Sequence, residues 1–290
     1  MEVYWQEVKR DLNKIKKIKK IIKWSFIIGT AYFVLTTLYF GYDDIDNEKG
    51  VFIFYWSGLK GLSKDSKFGF GFKSNEIVET KLSGVDGPYV FGNINYSVYQ
   101  DNSFHKNIID NSRRIKVNTN CKELLEFTVL LKDTISIEKD NYKTPSKLIA
   151  ISDIEGNFTG FYSFLFANKV IDKHANWIFG NGHLVLNGDF FDRGTEVTQV
   201  LWLIYHLENQ AQIRGGKVHF ILGNHEIMNL YGDVSYNDFK YMEVAKRITK
   251  QTAWDIGLRY LYSENSELGK WLRSKNIVEK IGENIFVLED

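Results

Sequence analysis

The stretch Leu184–Gly194, LVLNGDFFDRG, constrains the fold of this chain more than any other segment. It begins as a short apolar run with the length of a buried strand, and then breaks into a loop with acids, an arginine and glycines. Acidic side chains that leave a strand end on a turn can converge on one point, and an arginine can bind a phosphate or a carboxylate through two parallel hydrogen bonds. Taken alone, the stretch is equally well explained as a polar loop after a core strand.

Two further stretches repeat this pattern of an apolar run followed by a polar loop. Lys147–Ser152 (KLIAIS) leads into DIEGN, and Lys217–Leu222 (KVHFIL) leads into GNHE. Helical patterns lie between the runs, at about 158–172 and 195–212. The repeated order of strand, polar loop and helix predicts an α/β fold with a parallel sheet, which binds ligands at the carboxyl ends of its strands. Together, the three loops predict a functional site.

These loops resemble the sequence motifs of the calcineurin-like metallophosphoesterases. The motifs are D-x-[HE]-G, G-D-x-x-D-R-G and G-N-H-E, in this order and spacing, and the likeness is strongest to the serine/threonine-phosphatase-like branch with its bacterial members. The resemblance covers Lys147 to the C-terminus, half of the chain. It implies a metallophosphoesterase-type β-sandwich flanked by helices, and a hydrolase that cleaves phosphate esters. The implied substrate is a phosphorylated protein or a small phosphate ester, in preference to a dinucleoside polyphosphate.

The resemblance also implies a site for two divalent metal ions. Asp153 and Glu155 would bind the first ion, Asn224 would bind the second, and Asp189 would bridge them. The ions would share a water between them, and the hydroxide formed from it would attack phosphorus. Many family members have histidine where this chain has Glu155. A carboxylate there favours manganese or iron, with magnesium and zinc as alternatives.

The remaining motif residues receive catalytic roles from the same resemblance. Arg193 would bind the phosphoryl oxygens, with Asn224 helping. His225 would protonate the leaving group, and Asp192 would hold its imidazole in tautomer and orientation. The other histidines fall outside any motif and are interpreted as structural; they are His105, His174, His183, His206 and His219.

The N-terminal part has a different composition. Residues 1–23 form a basic segment with eight lysines and arginines, and residues 24–42 carry no charge over a length that can cross a bilayer as a helix. Acidic residues follow. The positive-inside rule then predicts a single-pass membrane anchor with a cytoplasmic N-terminus and an extracytoplasmic catalytic domain. A cleaved signal peptide and a buried core helix are the alternatives.

Beyond the basic segment the chain is slightly acidic, so we expect no nucleic-acid binding. Residues 43–144 are predicted to be β-rich, either as a separate domain or as an elaboration of the catalytic one. The strand-like runs are Val51–Trp56, Pro88–Tyr99, Leu124–Leu131 and Thr134–Glu138. A polar run around Pro145 sets the boundary, so residues 145–290 are predicted to form the metallophosphoesterase domain. Its later part predicts three helices and a strand, at 237–249, 252–263, 266–275 and 281–288.

The C-terminus departs from the family pattern. The family supplies two more histidines after G-N-H-E, both for the second ion, whereas no histidine follows His225. A late strand in the family leads into a His-Gly-Gly-type segment, and here Ile285–Val287 leads into Leu-Glu-Asp. We therefore expect a partial domain, truncated at the C-terminus, that holds the second ion weakly. The alternative is a catalytically inactive, membrane-anchored binding module that lacks the second metal site.

Overall fold

The computed structural model describes residues 2–40, 44–46, 51–56, 70–74, 81–251 and 253–288. The chain divides into two units, Met1–Glu79 and Thr80–Asp290.

The described residues of the first unit form one long helix and one small sheet. Helix α1 spans Glu2–Phe40. Strands β1 (Asp44–Asp46), β2 (Val51–Trp56) and β3 (Phe70–Ser74) form an antiparallel sheet in that order. The strand predicted at 51–56 is confirmed.

In the described part of the chain, no helix combines the length and the apolar character that a membrane crossing requires. The structure thus gives no support to the anchor predicted at residues 24–42, of which Gly41 and Tyr42 lie outside the described residues.

The second unit contains the three motif loops. Its strands are β4 (Asp86–Phe91), β5 (Ile94–Val98), β6 (Phe104–Ile108), β7 (Arg114–Asn118), β8 (Glu126–Leu130), β9 (Asn141–Tyr142), β10 (Leu148–Ile151), β11 (His183–Asn187), β12 (Lys217–Ile221), β13 (Glu279–Ile281) and β14 (Asn284–Phe286). Its helices are α2 (Phe158–Ala167), α3 (Val197–Ile213), α4 (Asn224–Tyr231), α5 (Lys240–Thr249), α6 (Trp254–Leu261) and α7 (Glu267–Leu272).

The predicted parallel sheet is confirmed in strands β10, β11 and β12, which pair in that order. Strand β11 is central, and its apolar side chains Leu184, Val185 and Leu186 are buried. The register pairs Ile151 with Leu186 and Asn187 with Ile221, so the three strands end at nearly the same level. The loops that follow them therefore meet at one edge of the sheet.

A second sheet, of strands β14, β13 and β9, packs against the first. Val185 and Ile221 of the parallel sheet form one buried cluster with Ile281, and Tyr142 and Phe286 pack against it. This contact between the two sheets, with helices alongside them, agrees with the predicted α/β metallophosphoesterase fold.

Strands from the region before residue 145 belong to this second unit because they cover helix α3. Most side chains of α3 are buried, so the helix needs apolar neighbours on several sides. The indole N–H of Trp202 donates to Pro88 O (2.8 Å), and the amide of Asn209 donates to Leu130 O (3.1 Å). The compact unit that contains the motif loops therefore begins at Thr80, and the described residues 81–144 belong to it. The domain boundary predicted at residue 145 stays a prediction.

The segment Thr134–Glu138, predicted as a strand, is not a strand in the structure. Ile137, which would be buried on one face of a half-buried strand, is exposed. The contacts of the segment are instead made by Glu138, whose backbone N–H donates to Ser274 O (3.3 Å). The Glu138 carboxylate binds the ammonium groups of Lys217 and Lys275.

Two other predicted strands are hairpins. The run at Pro88–Tyr99 turns at Gly92 between β4 and β5, and the run at 281–288 turns at Gly282 between β13 and β14. Both glycines have positive φ, which a tight turn between paired strands requires. The predicted helices are confirmed as α2, α3, α5, α6 and α7 with somewhat different ends, whereas α4 was not predicted.

Replacing Ile281 by alanine is expected to lower the free energy of unfolding by about 2–5 kcal/mol, because it leaves a cavity between the two sheets. The matched control is Ile285→Ala in the same hairpin. Ile285 is 67% exposed, against 1% for Ile281, so its loss should cost less than about 0.5 kcal/mol. Urea unfolding of the full chain measures both, and equal effects would contradict the packing of the two sheets.

Candidate active site

The three motif loops meet in one cavity of about 480 Å³ at the carboxyl edge of the parallel sheet. The lining residues are Asp153, Glu155, Asp189, Arg193, Asn224, His225, Met228, Tyr236 and Leu288. The structure therefore brings together every residue that the sequence placed in the site except Asp192. That residue is buried behind the cavity and contacts His225.

The buried carboxylate of Glu226 holds two of these loops together. Its Oε2 accepts hydrogen bonds from the backbone N–H groups of Asp189 (2.9 Å) and Gly223 (2.8 Å). Its Oε1 accepts from Phe190 (2.7 Å) and Phe191 (3.1 Å). Burial raises the pKa of Glu226, and the N–H donors lower it in part. The loop after β11 is thus folded around one side chain of α4.

The first and second loops are joined by backbone hydrogen bonds. The N–H of Asp153 donates to Gly188 O (3.1 Å), and the N–H of Glu155 donates to Asp189 O (3.0 Å). All three acidic residues have left-handed backbone conformations, with φ of 56°, 47° and 61° in chain order. Such conformations cost roughly 1–3 kcal/mol each and persist where the surroundings enforce them.

The approach of the second and third loops requires glycine. Gly188 has φ of 77°, and a Cβ atom there would lie 2.8 Å from the Cα of Gly223. Because backbone atoms cannot yield as a flexible side chain can, a larger residue would separate the two loops.

Asp192 and His225 form a buried pair. His225 Nδ1 lies 2.7 Å from Asp192 Oδ2. Burial raises the pKa of Asp192, and hydrogen bonds from Asn229 and His225 lower it in part. Burial lowers the pKa of His225, but the hydrogen bond to Asp192 and the charges of Asp192 and Asp189 outweigh this, so the net pKa is raised. The imidazole is thus held through its Nδ1 atom by Asp192, the residue that the resemblance assigned to orient it.

Arg193 is exposed at the rim of the cavity, where its guanidinium binds the carboxylate of Glu155. Asp189 is buried, and one of its carboxylate oxygens accepts a hydrogen bond from the N–H of His225 (3.2 Å). With Asp153, the cavity contains three carboxylates and one guanidinium, an excess of negative charge. A phosphate group would be repelled from it unless cations balanced that charge.

The donors in the cavity match a hard divalent cation in type, since carboxylate and amide oxygens are the ligands such ions take. Asn224 Oδ1 is buried and has no hydrogen-bond partner among the described residues, and a cation would satisfy it. However, the described part of the chain contains no group of three or more His, Cys, Asp or Glu side chains placed so that they could hold a metal ion. The donor types therefore fit, and the assignment of Asp153, Glu155, Asp189 and Asn224 as ligands stays a prediction.

Met228 and Leu288 line the cavity without a role predicted from the sequence, and four further residues without a predicted role make the contacts described next. Glu226 is the last residue of the G-N-H-E motif, so its position was a signal that could have been used. The ring of Tyr236 packs edge-on against His225, with ring centroids 5.3 Å apart. Asn229 and Asn237 donate to Asp192. These last three residues carry no motif that marks them.

Comparison with known proteins agrees with this geometry. A sequence profile described as "Calcineurin-like phosphoesterase" matches residues 146–289. This part of the chain belongs to the calcineurin-like phosphoesterase family. The phosphoesterase domain contains all three motif loops, so the recognition made from those motifs is confirmed.

Two named relatives are similar to about a third of this chain. "Shewanella-like protein phosphatase 1" of Plasmodium berghei (strain Anka) is 38% identical over 105 residues, which are 36% of this chain and 29% of that protein. "Shewanella-like protein phosphatase 2" of Arabidopsis thaliana is 34% identical over 107 residues, 37% of this chain and 27% of that protein.

A solved structure is similar over a longer stretch. The cold-active protein-tyrosine phosphatase of a psychrophilic Shewanella species superposes with a TM-score of 0.63 at 35% sequence identity. The match covers 72% of this chain and 62% of that protein. The chain thus spans less than two thirds of each of these three proteins.

Proposed function

We propose that this chain is a metal-dependent phosphatase that hydrolyses phosphate monoesters. The observation that carries the proposal is the meeting of six motif residues in one cavity, with His225 held on Asp192 beside it. The relatives named as protein phosphatases support the same activity. The substrate would be a phosphorylated protein or a small phosphate ester.

Asp153, Glu155, Asp189 and Asn224 would hold two divalent cations, with Asp189 between them. When bound, such cations supply Lewis acidity and lower the pKa of the attacking water. Manganese or iron is the proposed metal, with magnesium and zinc as alternatives, because the donors are carboxylate and amide oxygens.

Arg193 would bind the phosphoryl oxygens of the substrate. Its guanidinium is exposed at the rim and already binds an anionic group, the carboxylate of Glu155. A guanidinium matches the oxygens of phosphate through two parallel hydrogen bonds, so the substrate phosphate is a suitable alternative partner. Neutralisation of Glu155 by a cation would release Arg193 for this role.

His225 would protonate the leaving oxygen. Its Nδ1 faces Asp192, which leaves Nε2 as the ring nitrogen that can exchange a proton with substrate. Tyr236 and Met228 form an apolar wall of the same cavity. An aryl leaving group would pack against this wall, and the likeness to a protein-tyrosine phosphatase is in keeping with that preference.

With Mn²⁺, this chain is expected to hydrolyse p-nitrophenyl phosphate slowly, because Asn224 would be the only donor to the second ion besides Asp189. Asp189→Asn should abolish hydrolysis and lower the bound manganese more than any other single ligand substitution, because Asp189 would contact both ions. Activity and metal content by mass spectrometry measure the two effects. Asp133→Asn is the matched control, since Asp133 is exposed and pairs with Arg113, and it should change neither quantity.

Equal metal content in Asp189→Asn and the parent would refute the bridging role. A parent chain that binds a phosphate ester but hydrolyses none with any of the four metals would instead support the alternative, an inactive binding module.

We also propose that residues 24–42 anchor the chain in a membrane, with the N-terminus in the cytoplasm and the phosphoesterase domain outside. The support is an uncharged run between a lysine-rich and an acidic flank.

A reporter enzyme that is active only after export, fused after Asp290, is expected to be active. A reporter that is active only in the cytoplasm should be silent at the same position. The reverse result would overturn the orientation and the extracytoplasmic location of the domain.

A further inference from the structure

The carboxylate of Asp192 has more partners than His225. Its Oδ2 contacts His225 Nδ1, and its Oδ1 accepts hydrogen bonds from the side-chain amides of Asn229 (3.0 Å) and Asn237 (2.7 Å). Asp192 and Asn229 are buried, and Asn237 is half-buried. Both carboxylate oxygens are therefore occupied by donors.

The two amides also fix each other. Asn237 Nδ2 donates to Asn229 Oδ1 (2.8 Å), and Asn229 Nδ2 donates to the backbone oxygen of His225 (3.0 Å). Each amide nitrogen thus has two acceptors, which is the number that an NH₂ group can serve. Rotating either amide by 180° would place its oxygen against the carboxylate, so each orientation is determined.

Asn237 lies in the segment between α4 and α5, and this segment contacts the catalytic loop at two further points. The backbone N–H of Arg193 donates to Tyr236 O (3.2 Å), and the ring of Tyr236 packs edge-on against His225. The segment therefore contacts His225 and the loop that carries Asp192 at the same time.

We propose that Asn237 and Asn229 are positioning residues for the general acid, an inference that rests on the proposed phosphatase function. Two amide donors on Oδ1 stabilise the charged carboxylate, and a charged carboxylate can only accept from His225. Nδ1 then carries its proton inward, and Nε2 is directed to the leaving oxygen. The amides act through Asp192 and do not touch the substrate.

The test compares leaving groups. Asn237→Ala is expected to lower kcat for phenyl phosphate, a poor leaving group, by about 10- to 100-fold, the usual effect of losing a supporting residue. For 2,4-dinitrophenyl phosphate the loss should be below about threefold, because that leaving oxygen needs little protonation. KM and bound manganese should stay unchanged.

Three further variants define the result. Asn237→Asp keeps the shape but cannot donate when ionised, so it should resemble Asn237→Ala. Asn168→Ala removes an exposed amide that donates to Phe164 O of its own helix, and it should behave as the parent. Adding Asn237→Ala to His225→Ala should cause no further loss. An equal loss on both leaving groups, or a further loss in the double variant, would overturn the proposal.

A second measurement needs no turnover. In the ¹⁵N-labelled full chain, the Nδ1–H proton of His225, assigned by its absence in His225→Ala, should shift or broaden in Asn237→Ala and Asn237→Asp. The same Nδ1–H resonance should be unchanged in Asn168→Ala.

An unchanged resonance in both Asn237 variants would overturn the positioning role. If the parent proves inactive as a phosphatase, the proposed function fails while this resonance still decides the role of the amides.

Discussion

The rest of the site depends on one interaction, the acceptance of four backbone N–H groups by the buried carboxylate of Glu226. Each buried N–H group without an acceptor would lower the stability of the fold by about 1–3 kcal/mol. The four N–H groups are therefore strongly held to this carboxylate. They belong to Gly223 and to the segment 189–191. The carboxylate therefore fixes the loop after β11 relative to the start of α4, and with it the distance from Asp189 to Asn224 and His225.

The site residues are held in conformations that local preference disfavours. Asp153, Glu155, Asp189, Asp192 and Arg193 all have positive φ, although none is glycine. Such a concentration is expected where a backbone must direct several polar side chains into one cavity. The surrounding hydrogen bonds and the packing of β10, β11 and β12 offset the strain. The stable core of the domain thus allows the site residues at the edge of the sheet to keep strained backbone conformations.

The sequence predicted the parallel sheet and the cavity because their determinants are local. Apolar runs followed at once by Asp153, Asp189 or Asn224 place those residues at strand ends, and the motifs pair Asp192 with His225. Asn237 escaped prediction because it is 45 residues from Asp192 and has no motif of its own.

One predicted strand is wrong and the cover of helix α3 was not predicted, because both depend on residues that are distant in the sequence. Helix α3 is buried on most sides, so it requires cover from elsewhere in the chain. Strands that precede residue 145, among them β4 and β8, pack against this helix. The segment Thr134–Glu138 has the composition of a strand, but its contacts include ion pairs of Glu138 with the distant Lys217 and Lys275, which composition does not show.

The most direct test of this account is the affinity of the full chain for Mn²⁺ in Glu226→Gln, measured by titration calorimetry together with urea unfolding. An amide cannot accept at its nitrogen, so two N–H groups lose their partner. At roughly 1–3 kcal/mol for each unpaired N–H group, Glu226→Gln is expected to lower the free energy of unfolding by about 2–6 kcal/mol. Its affinity for manganese is expected to be at least about tenfold weaker than that of the parent. Glu126→Gln, at an exposed ion pair with Lys116, should change neither. Parent-like stability and affinity in Glu226→Gln would contradict the account.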